Sequence, residues 1–342
     1  MEDILSIKDL NMVFTSRGLE GKEKVHVLKN VNFSVKSGEI VALVGESGCG
    51  KTTLGKIIAG LYEPTSGDVL FMGRNFKKQS MKEKKEYRKA VQFVQQDSYA
   101  ALNPVKTIYK SMYAPIKANN KKLKKAEIDK LVNHYIELVG LTPADQFINK
   151  YPHQLSGGQR QRILIARVLS LQPKLIVADE PISMIDVSLR LSILNLIASL
   201  NREFHLSVVY ITHDLSTVRY VVGDGKIYVM YLGEIIECGP CKEVLLSPKH
   251  PYTQALISSV PIPDPDIERN KPPVKIKSME IPDIRDRVEG CSFCTRCLYS
   301  DDECKNWKLK NTFKDNHIVC CKNVDKIPEF SYNEIEKGKK DE

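Results

Sequence analysis

No stretch of this sequence approaches the roughly 18 to 20 consecutive apolar residues that a membrane-spanning helix requires. The opening residues, MEDILSIKDL, lack the basic-then-apolar order of a secretory signal. Both absences make a cytoplasmic location the expectation. Charge of one sign is too modest to decide a partner: 51 Lys and Arg against 42 Asp and Glu leave +9, which suits an anionic ligand or simply a solvated surface. No motif described below occurs twice, which argues against tandem functional units. What is present is a 342-residue chain, 42% hydrophobic, long enough for one large or two modest domains with a core.

The chain is organised around Gly45-Glu46-Ser47-Gly48-Cys49-Gly50-Lys51-Thr52-Thr53. This stretch follows the unbroken apolar run Ile40-Val41-Ala42-Leu43-Val44, which suits a parallel strand buried on both faces, and precedes a helix-compatible segment from Leu54 to Leu61. In that order, the glycines let successive backbone N–H groups turn inward around an anion. Lys51 can then reach the outer phosphates, and Thr52 is placed to ligate Mg2+ at the positive end of the helix. The pattern points to a nucleoside triphosphate. Cys49 reads as a small filler of the loop rather than a reactive thiol.

Upstream, Ile4 to Phe14 reads as a strand, and Val31, Phe33 and Val35 alternate on a second strand leading to the loop. Between them Thr15 to Lys24, polar and glycine-containing, is expected to be a surface loop. Phe14 offers a flat apolar face to an adenine ring and suits the core equally well. Downstream, Asp68 to Met72 is a short strand, and basic Arg74 to Arg88 an exposed, partly helical segment. Val91 to Val94 is another strand, and Gln96 at its end can touch Mg2+ or an attacking water through its amide oxygen. Thr107 to Gly140 is helical, with Ile128, Val132, Tyr135 and Ile136 on one apolar face, a helical insertion in an α/β core.

A second anion site is expected where Ser156, Gly157 and Gly158 precede a helix starting near Gln159. The apolar strand Leu175 to Ala178 delivers Asp179 and Glu180 to its carboxyl end, where ligands bind in parallel α/β sheets. Asp179 can hold Mg2+ through water, and Glu180 can orient and deprotonate the attacking water. Ser207 to Thr212 likewise delivers His213, placed to donate a hydrogen bond to a γ-phosphate. His26, His134, His153, His205, His250 and His317 lack such placement and read as surface or structural. Ile227 to Met230 and Glu234 to Glu237 form a hairpin around Gly233, and His250-Pro251-Tyr252-Thr253 leads a short helix through Val260.

Pro261 to Pro282 reads as an extended linker. Beyond it lie Cys291, Cys294, Cys297, Cys304, Cys320 and Cys321, six of the nine cysteines. Such clustering outside an oxidising compartment argues for metal rather than disulfides, and four thiolates suit either Zn2+ or an iron–sulfur cluster. A metal would staple a tail too poor in apolar residues to fold unaided. Lys322 to Glu342 is charged and expected to be mobile.

Together these stretches resemble the ATP-binding subunits of ABC transporters, within the oligopeptide/dipeptide permease branch. GESGCGKTT resembles the Walker A loop, LSGGQRQR the signature, LIVADEP the Walker B strand and THD the switch histidine. DSYAALNP, YPHQ, VMYLGEIIECGP, HPYTQAL, GCSFCTRC and HIVCC resemble that branch in particular. The resemblance implies an α/β P-loop NTPase cassette: a RecA-like core with an antiparallel β subdomain and a helical subdomain about 105–170, together residues 1–260. A cysteine-rich extension, 261–342, follows, with its cluster at 291–321. It further implies that Gln96 is the Q-loop glutamine, Phe14 the adenine-stacking aromatic and Glu180 the catalytic base. Ser156 to Gln159 and Asp186 would serve the γ-phosphate of a partner. The D-loop departs mildly from its usual form as Ser183-Met184-Ile185-Asp186.

The cysteines matching the branch pattern are Cys291, Cys297, Cys304 and Cys321, which in similar members carry a 4Fe-4S cluster; Cys294 and Cys320 are alternates. The implied partners are a second ABC ATPase subunit, with a heterodimer favoured, and two transmembrane permease subunits. An extracytoplasmic solute-binding protein acts indirectly, and nucleic acid is not expected. The chain would sit at the cytoplasmic face of the membrane and power peptide import. Oligosaccharide cargo and a soluble, non-transport ABC ATPase are the rival readings.

Overall fold

The computed structural model describes residues 2–18, 21–261, 265–270, 274–307, 312–314 and 316–330. Two sheets share the chain. Strands β1 (Asp3–Gly18), β2 (Gly21–Lys36), β4 (Ser66–Phe71) and β5 (Arg74–Asn75) form an antiparallel sheet in the order β2-β1-β4-β5. The second sheet is built on β3 (Ile40–Val44), β6 (Val91–Val94), β7 (Leu175–Asp179), β8 (Ser207–Thr212), β9 (Lys226–Tyr231) and β10 (Glu234–Pro240). The late hairpin β11 (Thr312–Lys314) and β12 (His317–Val319) completes it, in the order β11-β12-β10-β9-β3-β8-β7-β6.

The apolar run of β3 has no alternation because both of its faces are covered. Val41 and Leu43 pack with the antiparallel sheet and with Leu54 and Ile57 of the helix Lys51–Ile58. Ile40, Ala42 and Val44 face the opposite core, shared with Met112, Ile116, Val132 and Ile163. Burial on both sides is the usual condition of parallel strands, and β3 pairs in parallel with both β8 and β9. The helical insertion consists chiefly of the helices Ile108–Asn119, Lys125–Leu138 and Gly157–Leu169. Thr107 opens the first by accepting the Lys110 N–H. The third begins at Gly157, two residues before the sequence-based expectation.

Three expectations change. Residues 15–18 and 21–24 are strand, not loop: the pairs Thr15↔Lys24, Arg17↔Lys22 and Gly18↔Gly21 continue the β1–β2 ladder. The sequence of both segments is polar, and the lack of apolar alternation concealed the pairing. Within the proline-rich stretch, Pro265–Asn270 forms a helix, with proline at the first helical position, where its missing N–H costs nothing. After Lys322, Val324 and Ile327 are buried and Phe330 packs against the main core, so the described part of the tail is folded. Residues 331–342 lie outside the described residues. Through β12, which pairs Val319 with Glu237 and Ile318 with Cys238, the extension joins the main sheet.

Candidate nucleotide-binding site

Strand order sets the site. Since β6, β7, β8 and β3 are neighbours and parallel, the residues that follow each strand meet at one carboxyl edge. There Ser47, Gly48, Lys51, Thr52, Gln96 and Glu180, with Val27 of β2, line an open cavity. The sequence pointed to all of these but Val27, which carries no polar signal and lines the cavity only because β2 passes alongside.

The phosphate loop is held open. Gly50 caps the helix Lys51–Ile58 at φ 107°, a left-handed conformation that glycine adopts without a Cβ clash, and no side chain caps the N-terminus. The first helical N–H groups are thus free to meet an anion. At Gly45, a Cβ would lie 2.1 Å from the Met230 carbonyl oxygen, so any side chain there would push the loop off β9. Lys51 is 5% exposed, and its Nζ donates to the carbonyls of Gly45 at 2.7 Å and Glu46 at 2.8 Å. Cys49 is buried and burial raises its thiol pKa, as befits an inert filler.

Asp179 is buried at the end of β7, and its Oδ1 has no hydrogen-bond partner among the described residues. Burial raises its pKa, opposed by a hydrogen bond from Thr52 and reinforced by Glu180. An orphaned carboxylate oxygen beside a threonine hydroxyl fits a hard divalent cation such as Mg2+. Glu180 takes φ 44°, unusual for a residue with a Cβ, while its N–H donates to the Ile211 carbonyl at 2.9 Å. Its carboxylate is held from both sides: Gln96 Nε2 donates to Oε2 at 2.7 Å, and His213 Nδ1 lies 2.8 Å from Oε1. A carboxylate fixed in this way at the cavity can orient and deprotonate a water.

Ser156, Gly157, Gly158 and Gln159 do not line this cavity. Ser156 Oγ accepts the Gln159 N–H at 3.2 Å while Gln159 Oε1 accepts the Ser156 N–H at 3.0 Å, a reciprocal capping box. Gly157 is needed for packing, because a Cβ would approach the Met184 carbonyl oxygen to 2.9 Å. Asp186 caps the helix Val187–Phe204 with no side-chain bond, and Met184 beside it is 61% exposed. Phe14 also stands apart from the cavity lining, packed edge-on against Tyr62 at 5.7 Å.

In the extension, Cys291, Cys297, Cys304 and Cys321 lie near enough to act electrostatically on one another. Burial is the main cause of their raised thiol pKa values, that of Cys321 to about 12. Cys294 neighbours Cys291 and Cys297, whereas Cys320 neighbours Cys238, Glu234 and Glu237 as well as Cys321. Cys291 is half-buried and the other three are buried; thiolates are the ligand type that soft metals prefer. Among the described residues, however, no group of three or more His, Cys, Asp or Glu is disposed to hold a single metal ion.

The sheet order, the open phosphate loop and the Glu180 pocket together define an ATP-binding cassette, an ATPase fold. Residues 28–183 match the ABC transporter family, and residues 236–304 match the family described as oligopeptide/dipeptide transporter, C-terminal region. The oligopeptide transport ATP-binding protein OppF of Haemophilus influenzae is 43% identical over 303 residues, covering 88% of this chain and 90% of that protein. The di/tripeptide transport ATP-binding protein DppF of Pseudomonas aeruginosa is 39% identical over 329 residues, covering 96% and 99%. Among solved structures, the dimeric cassette MJ0796 in a post-hydrolysis state with ADP and Pi matches with a TM-score of 0.62 at 30% identity, covering 69% of this chain and 98% of that one. The chain belongs to the family of ABC transporter ATP-binding proteins for oligopeptides and dipeptides, and hydrolyses ATP to drive transport.

Proposed function

We propose that this chain is one of two ATPase cassettes beneath a membrane permease that imports oligopeptides or dipeptides. The observation that carries the reading is the separation of two helix N-termini in one chain: the open loop at Gly45–Thr53 with Glu180 beside it, and the capped terminus at Ser156–Gln159 away from it. Two chains facing head to tail would bring the Ser156 terminus of each, with Asp186 nearby, to the γ-phosphate held by Lys51 of the other. Glu180 acts as base on the attacking water, Gln96 and His213 hold it in place, and Phe14 offers a stacking face to adenine. Thr52 and Asp179, with Gln96 alongside, would hold Mg2+, which would supply neutralisation of phosphate charge.

Cys291, Cys297, Cys304 and Cys321 are the proposed ligands of a structural 4Fe-4S cluster, with Cys294 or Cys320 as replacements and Zn2+ as the alternative. Such a group supplies a cross-link, not a reaction step. The chain would lie peripherally on the cytoplasmic face; no helix among the described residues is long and apolar enough to cross a membrane. A second, different cassette is the favoured partner, beside two permease subunits and, indirectly, an extracytoplasmic solute-binding protein. ATPase activity of the assembled complex tests the cargo. Stimulation by peptides and not by oligosaccharides is expected, and stimulation by oligosaccharides alone would overturn it.

A further inference from the structure

The cysteine-rich extension reaches back to the phosphate loop at one residue. Arg296, 5% exposed, sits in the turn between Cys294 and Cys297 and forks onto Glu46 of the loop: its Nη1 lies 3.2 and 2.9 Å from the two carboxylate oxygens, and its Nη2 3.2 Å from Oε1. The guanidinium is seated in an aromatic box, 5.8 Å from the Tyr231 ring and 5.7 Å from the Phe293 ring. Tyr252, which packs on both rings, also holds the loop, since its hydroxyl accepts the Glu46 N–H at 2.9 Å. Its turn is pinned in place: the Arg296 N–H donates to the Phe293 carbonyl at 3.0 Å, and the Arg296 carbonyl accepts the Lys277 N–H at 2.8 Å.

Glu46 is therefore held at three points: its N–H by Tyr252, its carboxylate by Arg296 and its carbonyl by Lys51. The third point is temporary. When Lys51 turns to a phosphate it must leave the Gly45 and Glu46 carbonyls, and the loop loses its internal strap. Arg296 and Tyr252 do not line the cavity, so their grip on Glu46 survives that exchange and keeps the first half of the loop preorganised.

We propose that Arg296 is a positioning residue for nucleotide binding, acting from the extension through Glu46 to hold the first half of the phosphate loop. A fork of charge-assisted bonds has no equal in a single ammonium, so lysine can replace it only in part. The proposal rests on the loop being the nucleotide site; failure of that premise would appear separately, as no ATP binding by the unaltered chain.

The test is a steady-state ATPase assay and ATP binding on the full chain with its partner subunits. For Arg296→Gln we expect KM for ATP to rise roughly tenfold with kcat within about twofold, the size of one lost charge-assisted bond. Amides of the loop should exchange hydrogen faster than in the parent. Glu46→Gln should do the same, and the double variant should be no worse than either single, because one fork is being removed. An unchanged KM in folded Arg296→Gln overturns the proposal, as does a double variant whose effect is the product of the singles. Should Arg296→Gln fail to fold, Arg296→Lys carries the test: a several-fold rise in KM is expected, and a parental KM overturns it.

Discussion

Two helix N-termini in this chain are capped in opposite ways. The helix after the phosphate loop is capped by Gly50, with no side-chain hydrogen bond to its first N–H groups, and its first residues line a cavity together with the Glu180 carboxylate. The helix after Leu155 is closed by its own Ser156–Gln159 box and stands outside that cavity. The first is unsatisfied until an anion arrives. The second closes on itself, and the Ser156 hydroxyl, an acceptor in that box, keeps its proton for donation. Under the proposed head-to-tail arrangement, such a self-satisfied terminus would meet a phosphate carried by the other cassette.

The sharpest way to break this contrast is at Glu180. Glu180→Gln keeps the shape of the first site and removes its base, so turnover should fall by about 10²- to 10⁴-fold while ATP affinity holds. Single-turnover assay and equilibrium binding check both, and undiminished turnover would remove Glu180 from the role.

Acid should act next, on the support behind the first site. His250 is buried, its Nδ1 accepts the Tyr252 N–H at 3.1 Å, and burial lowers its pKa to about 4 against an opposing pull from Glu237. A folded-state pKa below the unfolded one means the unfolded chain binds the extra proton. Stability from this residue is therefore present above pH 6.5 and lost as pH falls toward 4. At pH 5 the loss should be about 2 kcal/mol, measurable by urea unfolding. His250→Asn, which keeps a capping acceptor and does not titrate, should flatten that slope.

The smallest effect falls on the second terminus. Ser156→Ala should cost about 1 kcal/mol of stability through the lost cap and slow the paired cassettes. ADP affinity of a lone chain should not change, because Ser156 does not line its cavity. Reduced ADP affinity in the monomer would erase the distinction between the termini.

Much of the first site was legible because each part has a local cause. Doubly buried strands write unbroken apolar runs such as Leu175 to Ala178, and the chemistry follows directly in sequence at Asp179 and Glu180. Glycine at Gly45 and Gly50 reports backbone geometry in the same way. What escaped reading lies between distant segments. Arg296 meets Glu46 across 250 positions, and nothing in either local pattern names the other. The β1–β2 pairing beyond Phe14 was hidden because its polar sequence carries no apolar alternation, and the tail read as mobile because charge outweighed the few apolar side chains, Val324, Ile327 and Phe330, that anchor it.

The most direct measurement is turnover per chain against concentration, read together with the molar mass of the Glu180→Gln protein in ATP, with the partner cassette present. Half-sites on separate chains predict a rate per chain that falls on dilution, and a trapped species containing two cassettes. A chain that stays strictly monomeric with ATP bound and hydrolyses it at an undiminished, concentration-independent rate would contradict the account.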